Sequence, residues 1–392
     1  MAADLPPVGV HLRSRGRMAV HTIWDYITRP IAKSIDDVPW CAEAISPDWM
    51  TAVMCRNVKD ARAMSVEIRG GDQGSSVRRR LKVEYNEQGR NAGLAENLFC
   101  KTTPTVLTRL ATGLSAAAEG RFYRQIRPEL NIEAPRCYYS AWDRNSGRSV
   151  HLFDDVIAAK AARFCKYDTP ISRPQSEQIM DTLATVHSRF YQSERFSSDL
   201  KWVISYIDFF GAGERVGLRE CHEQAMIQAQ AVIPPDITRR SAEIWPSAIR
   251  ALDLHRHGPF TLLHSDVHLG NWYITGDGVL GLCDWQCLGK GHWARDVAYA
   301  ISTTLSIEDR RAWERELLRR YLESMGQCGL SISFDEAWDL YRQQLSLALL
   351  MWTPTLVHTR TTPDMQPEEM SLEMIKRTTV AMSDLQSLAS FA

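Results

Sequence analysis

The spacing of hydrophobic and polar positions changes part-way along the chain. Ala63–Arg69 and Val77–Tyr85 are short β-compatible runs, and a third, Asn97–Thr102, carries Lys101. The first two are joined by Gly70-Gly71-Asp72-Gln73-Gly74-Ser75-Ser76, which reads as a glycine-rich hairpin where the backbone closely approaches another group. A helix is predicted over about Leu114–Arg127. Two further strands follow, Arg136–Trp142 and Ser149–Phe153, turning at Arg144-Asn145-Ser146-Gly147. Upstream, Ser46-Pro47-Asp48-Trp49 has the form of a helix start: a capping serine, proline in the first turn, then an acid. Residues 1–45 show no clear periodicity.

Beyond Asp155 the pattern becomes helical. Ile179, Leu183, Val186, His187 and Phe190 fall on one face of Pro174–Tyr191. Segments 200–230, 240–256, 290–305, 309–325, 334–352 and 366–390 also read as helices. One β stretch interrupts them, at Phe260–Leu263, Trp272–Thr275 and Val279–Cys283. The expected architecture is α+β: an N-terminal extension over 1–45, a small antiparallel-sheet lobe over 46–155, and a larger, mainly helical lobe over 156–392.

Composition narrows the class of protein. The 392 residues hold 46 basic and 47 acidic side chains, so long-range attraction to nucleic acid or to an anionic membrane is not expected. The nine cysteines are scattered, and Cys283 and Cys287 have no second pair to complete a tetrahedral metal site. They read as reduced thiols of a cytoplasmic protein. The N-terminus shows no apolar signal core. The longest apolar run, Leu347–Trp352, falls far short of the ~20 residues of a membrane span, so no membrane insertion is expected.

The most informative segment is His264-Ser265-Asp266-Val267-His268-Leu269-Gly270-Asn271, with Asp284 thirteen positions after Asn271. Phosphoryl transfer asks a protein mainly to position groups and neutralise charge. One carboxylate orients the accepting hydroxyl and takes its proton. A second carboxylate and an amide oxygen suit magnesium, a hard cation that prefers oxygen ligands. Asp266, Asn271 and Asp284 supply this set, and a hairpin turning at Gly276-Asp277-Gly278 would carry Asp284 back beside Asn271. A lone Asp in a loop is usually a turn residue or helix cap; the order and spacing of the three argue for chemistry.

This segment resembles the catalytic and metal-binding loops of the aminoglycoside phosphotransferase and choline kinase superfamily, whose pattern is His-Gly-Asp-x-His-x-x-Asn followed by Asp-Trp or Asp-Phe. His264, Asp266, His268, Asn271, Asp284 and Trp285 fall on it. Gly291 with Asp296-Val297-Ala298-Tyr299 resembles the family's Gly-x-x-x-x-Asp-Leu-Ala segment. Ser265 departs from the pattern, standing where the family has glycine. The resemblance implies a protein-kinase-like two-lobe fold using ATP and Mg2+, with Asp266 as catalytic base, His264 supporting the loop, and Asn271 and Asp284 on the metal. It also implies that Lys101 contacts nucleotide phosphates and pairs with a helix glutamate. Glu119, eighteen positions on, is the best candidate, with Glu96 a weaker alternative. Gly71, Gly74, Ser75 and Ser76 correspond to the loop covering the phosphates, and Phe153 and Asp155 to the hinge beside adenine. Leu183-Ala184-Thr185-Val186-His187 resembles the helix beneath the catalytic loop, where His187 reads as a core residue.

The acceptor implied is a small molecule with a hydroxyl group. A polycationic aminoglycoside calls for an acidic pocket and often an acidic C-terminal end, whereas this chain ends Gln386-Ser387-Leu388-Ala389-Ser390-Phe391-Ala392. Trp202, Tyr206, Phe209, Phe210, Trp285, Trp293 and Trp352 favour an apolar alcohol, although large aromatics are more often core. The long N-terminal segment and Asp284-Trp285-Gln286 are similar to the branch near ecdysteroid kinases. The alternatives are an aminoglycoside or macrolide phosphotransferase, a non-catalytic nucleotide-binding pseudokinase, and a metal hydrolase built on His264, Asp266 and His268. The oligomeric state is left open.

Overall fold

The computed structural model describes residues 8–74, 76–358 and 365–391. The contacts of the chain divide it into two units. Among the described residues, the first extends through Pro128 and takes up Pro135–Ala161; the second contains Glu129–Ala134, 162–358 and 365–391.

The first unit is a five-stranded antiparallel sheet with helices. Its elements are α1 (Val8–Thr28), α2 (Pro47–Met54), β1 (Ala63–Gln73), β2 (Val77–Tyr85), α3 (Glu87–Asn91), β3 (Asn97–Thr102), α4 (Val106–Arg121), β4 (Cys137–Trp142), β5 (Ser149–Asp154) and α5 (Val156–Lys160). The strand order is β1-β2-β3-β5-β4. Alternation along β2 buries Leu81, Val83 and Tyr85, which pack with Leu98, Cys100, Val150 and Leu152 against Trp49 and Met50 of α2. Helix α2 starts as expected: the Ser46 hydroxyl accepts the Trp49 N–H at 3.1 Å, and Pro47 occupies the first turn.

Three differences from the sequence reading have physical causes. β1 continues past Arg69 through the glycines to Gln73, with a bulge between Ile68 and Gly71. At Gly71 (φ 147°) a Cβ would collide with the Arg78 carbonyl of β2, so only glycine lets the two backbones approach. α4 begins eight residues before the predicted Leu114. Its capping box is Thr105 with Thr108, in which each hydroxyl accepts the other's N–H at 3.0 Å, rather than the usual Ser/Thr with Glu/Gln. The third difference is α1 itself, a 21-residue helix where no element was assigned. It turns polar residues inward: Thr22 and Asp25 are buried, and Asp25 pairs with Arg109 of α4 and with Arg148.

The second unit is mainly helical. It contains β6 (Arg163–Phe164), α6 (Arg173–Phe190), α7 (Tyr206–Glu214), α8 (Leu218–Gln228), α9 (Pro235–Arg239), α10 (Ser241–Leu252), α11 (Leu254–His257), β7 (Thr261–Leu263), β8 (Trp272–Ile274), β9 (Leu280–Leu282), β10 (Gly289–Gly291), α12 (Ala294–Thr304), α13 (Ile307–Gly326), α14 (Phe334–Leu356) and α15 (Glu368–Asp384). β7 pairs with β10, and β6, β8 and β9 form a second small sheet. Every residue of α12 is buried, which makes this helix the central strut of the unit, packed by α6, α13, α14 and α15. The α+β arrangement, a small antiparallel sheet and a larger helical part, is the one expected. No helix among the described residues is long and apolar enough to cross a membrane.

Candidate active site

The loop after β7 is held by backbone and side chain together. The amide N–H groups of His264 and Ser265 donate to Asp296 of α12 at 2.7 and 3.1 Å, and Arg295 Nη2 donates to the Ser265 carbonyl at 3.0 Å. His264 spends both ring nitrogens on the fold: Nε2 lies 3.0 Å from the Cys283 carbonyl and Nδ1 accepts the Asp266 N–H at 3.2 Å. Its ring packs edge-on against Trp285 at 4.5 Å. His264 therefore ties the loop to the segment after β9, and burial lowers its pKa, favouring the neutral ring.

The β8–β9 hairpin does what the spacing predicts. Trp272 pairs with Leu282, and the Cys283 N–H donates to the Asn271 carbonyl at 2.9 Å, so Asp284 follows directly beside Asn271. Asp284 adopts a left-handed conformation (φ 61°), which aspartate tolerates better than most residues. The Asn271 amide nitrogen donates to Asp266 twice, to its carbonyl at 2.7 Å and to Oδ2 at 3.1 Å. With Nδ2 committed there, Asn271 Oδ1 is the amide atom available to a cation.

Asp266 retains 18% exposure of its side chain at the centre of this arrangement. Its Oδ1 accepts the Tyr299 hydroxyl at 3.2 Å and lies 3.7 Å from His268 Nε2. Burial opposes ionisation, but the imidazoles of His268 and His264 and the amide of Asn271 outweigh it and hold the carboxyl at about 2. Tyr299 is driven the other way, well above the usual phenol range, by burial and by the Asp266 charge, so it stays a donor. Asp296, which accepts the His264 and Ser265 amides, is likewise held ionised: burial is outweighed by His187, Arg295 and His264. His187 is a buried core residue, as read, with Nδ1 2.7 Å from the Tyr321 hydroxyl.

Ser265 is strained. Its φ of 66° lies in the left-handed region, and its buried hydroxyl has no hydrogen-bond partner among the described residues. This is the cost of a side chain at a position where the resembling family has glycine.

In the first unit, Lys101 Nζ lies 2.8 Å from Glu119 Oε2, both side chains buried, while Glu96 pairs instead with Lys82. Gly120 lets α4 approach β4, since a Cβ there would collide with the Ser140 hydroxyl. Asp155 has local partners: its carboxylate caps α5 through the Ile157 N–H at 3.1 Å and binds Arg80 at 2.7 Å. Phe153 is buried, its ring 4.7 Å from Tyr123. The Gly74 N–H donates to the Ser76 carbonyl at 2.9 Å, and Ser76 is buried; Ser75 lies outside the described residues.

The sequence profile of the phosphotransferase enzyme family matches residues 90–330, more than half of the chain. The chain belongs to this family. Its members are small-molecule phosphotransferases with hydroxyl acceptors, and the protein is an enzyme of that kind. Solved structures similar to this phosphotransferase include spectinomycin phosphotransferase in complex with ADP and spectinomycin (14% identity, covering 84% of this chain and 94% of that one, TM-score 0.48). Others are the ethanolamine kinase of Plasmodium vivax (11%, 83% and 83%, 0.47) and the choline kinase of Streptococcus pneumoniae (14%, 82% and 94%, 0.44). Likenesses this remote settle neither nucleotide nor acceptor, and none singles out the ecdysteroid-kinase-like branch. No curated protein matches the chain in sequence.

Two contributors to the candidate site were not assigned a role from sequence, Arg295 and Tyr299. Both lie inside the Gly291–Tyr299 segment, and the three-residue step from Asp296 to Tyr299 places them on adjoining parts of one helical face. That step was the available signal. The aromatic set, conversely, is mostly core: Tyr206, Phe210, Trp285, Trp293 and Trp352 are buried, and only Trp202 and Phe209 are half-buried.

Proposed function

We propose that this phosphotransferase moves the γ-phosphoryl group of ATP, with Mg2+, to a hydroxyl of a small apolar alcohol. The observation that carries the reading is the treatment of Asp266. Each carboxylate oxygen accepts one protein donor, Tyr299 on Oδ1 and Asn271 on Oδ2, and the group keeps an open edge. A carboxylate fixed in orientation with lone pairs unspent suits the alignment of a hydroxyl.

The donor set fits magnesium. Asn271 Oδ1 and the Asp284 carboxylate are hard oxygen ligands on adjacent segments, and magnesium commonly takes one or two protein groups, the rest being water and phosphate oxygens. Bound there, it would supply neutralisation of phosphate charge. Asp266 orients the acceptor hydroxyl; as the acceptor O–P bond forms and the bond to the β-phosphate oxygen breaks, the hydroxyl proton passes to Asp266 and ADP leaves. Lys101, held by Glu119, contributes positive charge to the phosphates. A hydrolase centred on His264, Asp266 and His268 is disfavoured, because both His264 nitrogens are occupied by the fold.

The apolar acceptor is supported by the half-buried Trp202 and Phe209 of the second unit, whereas Trp352, 5.0 Å from His268, and Met370, beside Gly270, are buried and back the loop. Glu368 and Glu369 lie in the first turn of α15, where acids favour the helix terminus without any ligand.

Transfer of labelled γ-phosphate from Mg-ATP to a panel of sterols, terpenoid and aromatic alcohols, aminoglycosides and macrolides tests this. Wild type should label an apolar alcohol, and Asp266→Asn should lower the rate by ~10²–10⁴-fold while leaving ATP binding intact. Full activity in Asp266→Asn would refute the assignment of the base. Labelling confined to aminoglycosides or macrolides would move the acceptor to those antibiotics. No transfer and no ATP binding by either protein would count against the kinase reading.

A further inference from the structure

We propose that α1 is a peripheral membrane-docking helix that lies on an anionic lipid surface. The inference is independent of the acceptor.

The helix is amphipathic in the reverse sense for a soluble protein. Its inward face is polar and tied down by Asp25, whose carboxylate meets Arg109 at 2.6 Å and also Arg148. The opposite stripe, Val20, Ile23, Trp24 and Ile27, follows the i, i+3, i+4, i+7 spacing of one helical face and stands 66%, 56%, 60% and 73% exposed. Ile31, just past the helix, is also exposed. Isolated exposed apolar residues are ordinary, but a contiguous stripe of this kind marks an interaction surface.

Charge decides the occupant. The helix and the residue after it contain Arg13, Arg15, Arg17 and Arg29 against a single acid, Asp25, which is already committed to two arginines. The near-zero balance of the whole chain conceals this local excess. A second copy laid along the same stripe would bring two basic helices together, and like charges across an interface oppose association. An anionic bilayer satisfies both features at once: Arg17 and Arg29, both exposed, meet headgroups, while tryptophan and isoleucines enter the headgroup–acyl boundary. The absence of a spanning helix among the described residues is compatible with this geometry, because such a helix lies in the plane of the surface. An enzyme acting on a lipophilic alcohol would thereby meet its acceptor where that acceptor dissolves.

Flotation of the full chain with vesicles tests the proposal. Vesicles of phosphatidylglycerol with phosphatidylcholine should carry the protein several-fold better than phosphatidylcholine alone, and about 0.5 M salt should weaken the binding. The double substitution Trp24→Glu with Ile27→Glu should lower it ~tenfold or more. Its thermal midpoint should match wild type, because both side chains are solvent-exposed in the fold. Failure of wild type to float with the anionic vesicles, or equal flotation of the variant, would overturn the inference. So would a dimer in light scattering that the variant splits into monomers, since a second copy would then cover the stripe.

Discussion

Asp25 in the first unit and Asp266 in the second are both aspartates withdrawn from solvent, and the fold holds them in opposite ways. Asp25 is fully buried and meets two guanidinium groups, one of them, Arg109, with no exposure of its own. Arg109 also donates through Nε and Nη1 to the Thr103 and Ser146 carbonyls. This is a saturated cluster in which one acid is enclosed by two full counter-charges. Asp266 instead receives a phenol and an amide, with an imidazole 3.7 Å away, and stays partly open. Asp25 is closed by full counter-charges; Asp266, the base of the proposed reaction, is oriented by a phenol and an amide that leave lone pairs available.

The sharpest way to break this comparison is to remove charge from each acid in turn. Asp25→Asn should destabilise the protein by about 3–5 kcal/mol, because the buried Arg109 loses its partner. Denaturant unfolding of that variant beside Asp266→Asn should show the larger loss at Asp25, while transfer activity shows the reverse order. Equal stability losses would mean that Asp266 is also a structural ion-pair member.

A smaller effect should appear in pH dependence. The Asp266 carboxyl sits at about 2 in the folded chain, below its ordinary value. Its contribution to stability is therefore fully present above the unfolded value near 3.9 and is lost as pH falls through about 2, a window worth about 2.5 kcal/mol. Wild type and Asp266→Asn should converge in stability across that window. Tyr299→Phe removes a donor to the charged form, so it should raise the Asp266 pKa and move the window upward. With an identified acceptor, it should also lower kcat about tenfold at unchanged KM for ATP. A variant with wild-type kcat and an unmoved acid limb would remove Tyr299 from the positioning of the base.

How much of this was legible in the sequence depended on distance along the chain. The bounds of β2 and β3 were predicted to the residue, since strand alternation is local. Asp266, Asn271 and Asp284 stood out because a short loop and one hairpin connect them. The Lys101–Glu119 pair spans a strand and a helix, and only the family resemblance suggested it. Tyr299 acts on Asp266 from thirty-three positions away, a contact no local period reveals. α1 escaped because its apolar stripe faces solvent and its buried face is ionic, the inverse of what a search for a core-facing helix looks for. The aromatic cluster misled for a related reason: composition names large side chains, and only packing decides that Trp285, Trp293 and Trp352 fill the core.

Ser265 offers the smallest test, and one with an unusual sign. It neighbours Asp266 and holds a left-handed φ of 66°, a conformation that costs a non-glycine residue ~1–2 kcal/mol. Its buried hydroxyl finds no partner among the described residues, a further penalty of about 1 kcal/mol. Glycine would remove both terms and give back ~0.5–1 kcal/mol through the freer unfolded chain. Ser265→Gly should therefore stabilise the protein by about 1 kcal/mol and raise the thermal midpoint by about 1 °C. The comparison with Asp25 makes the outcome informative: changes in the saturated cluster can only lose stability, while the loop after β7 holds strain that a substitution can release. A destabilised Ser265→Gly would mean that the serine side chain helps to hold the loop that presents Asp266.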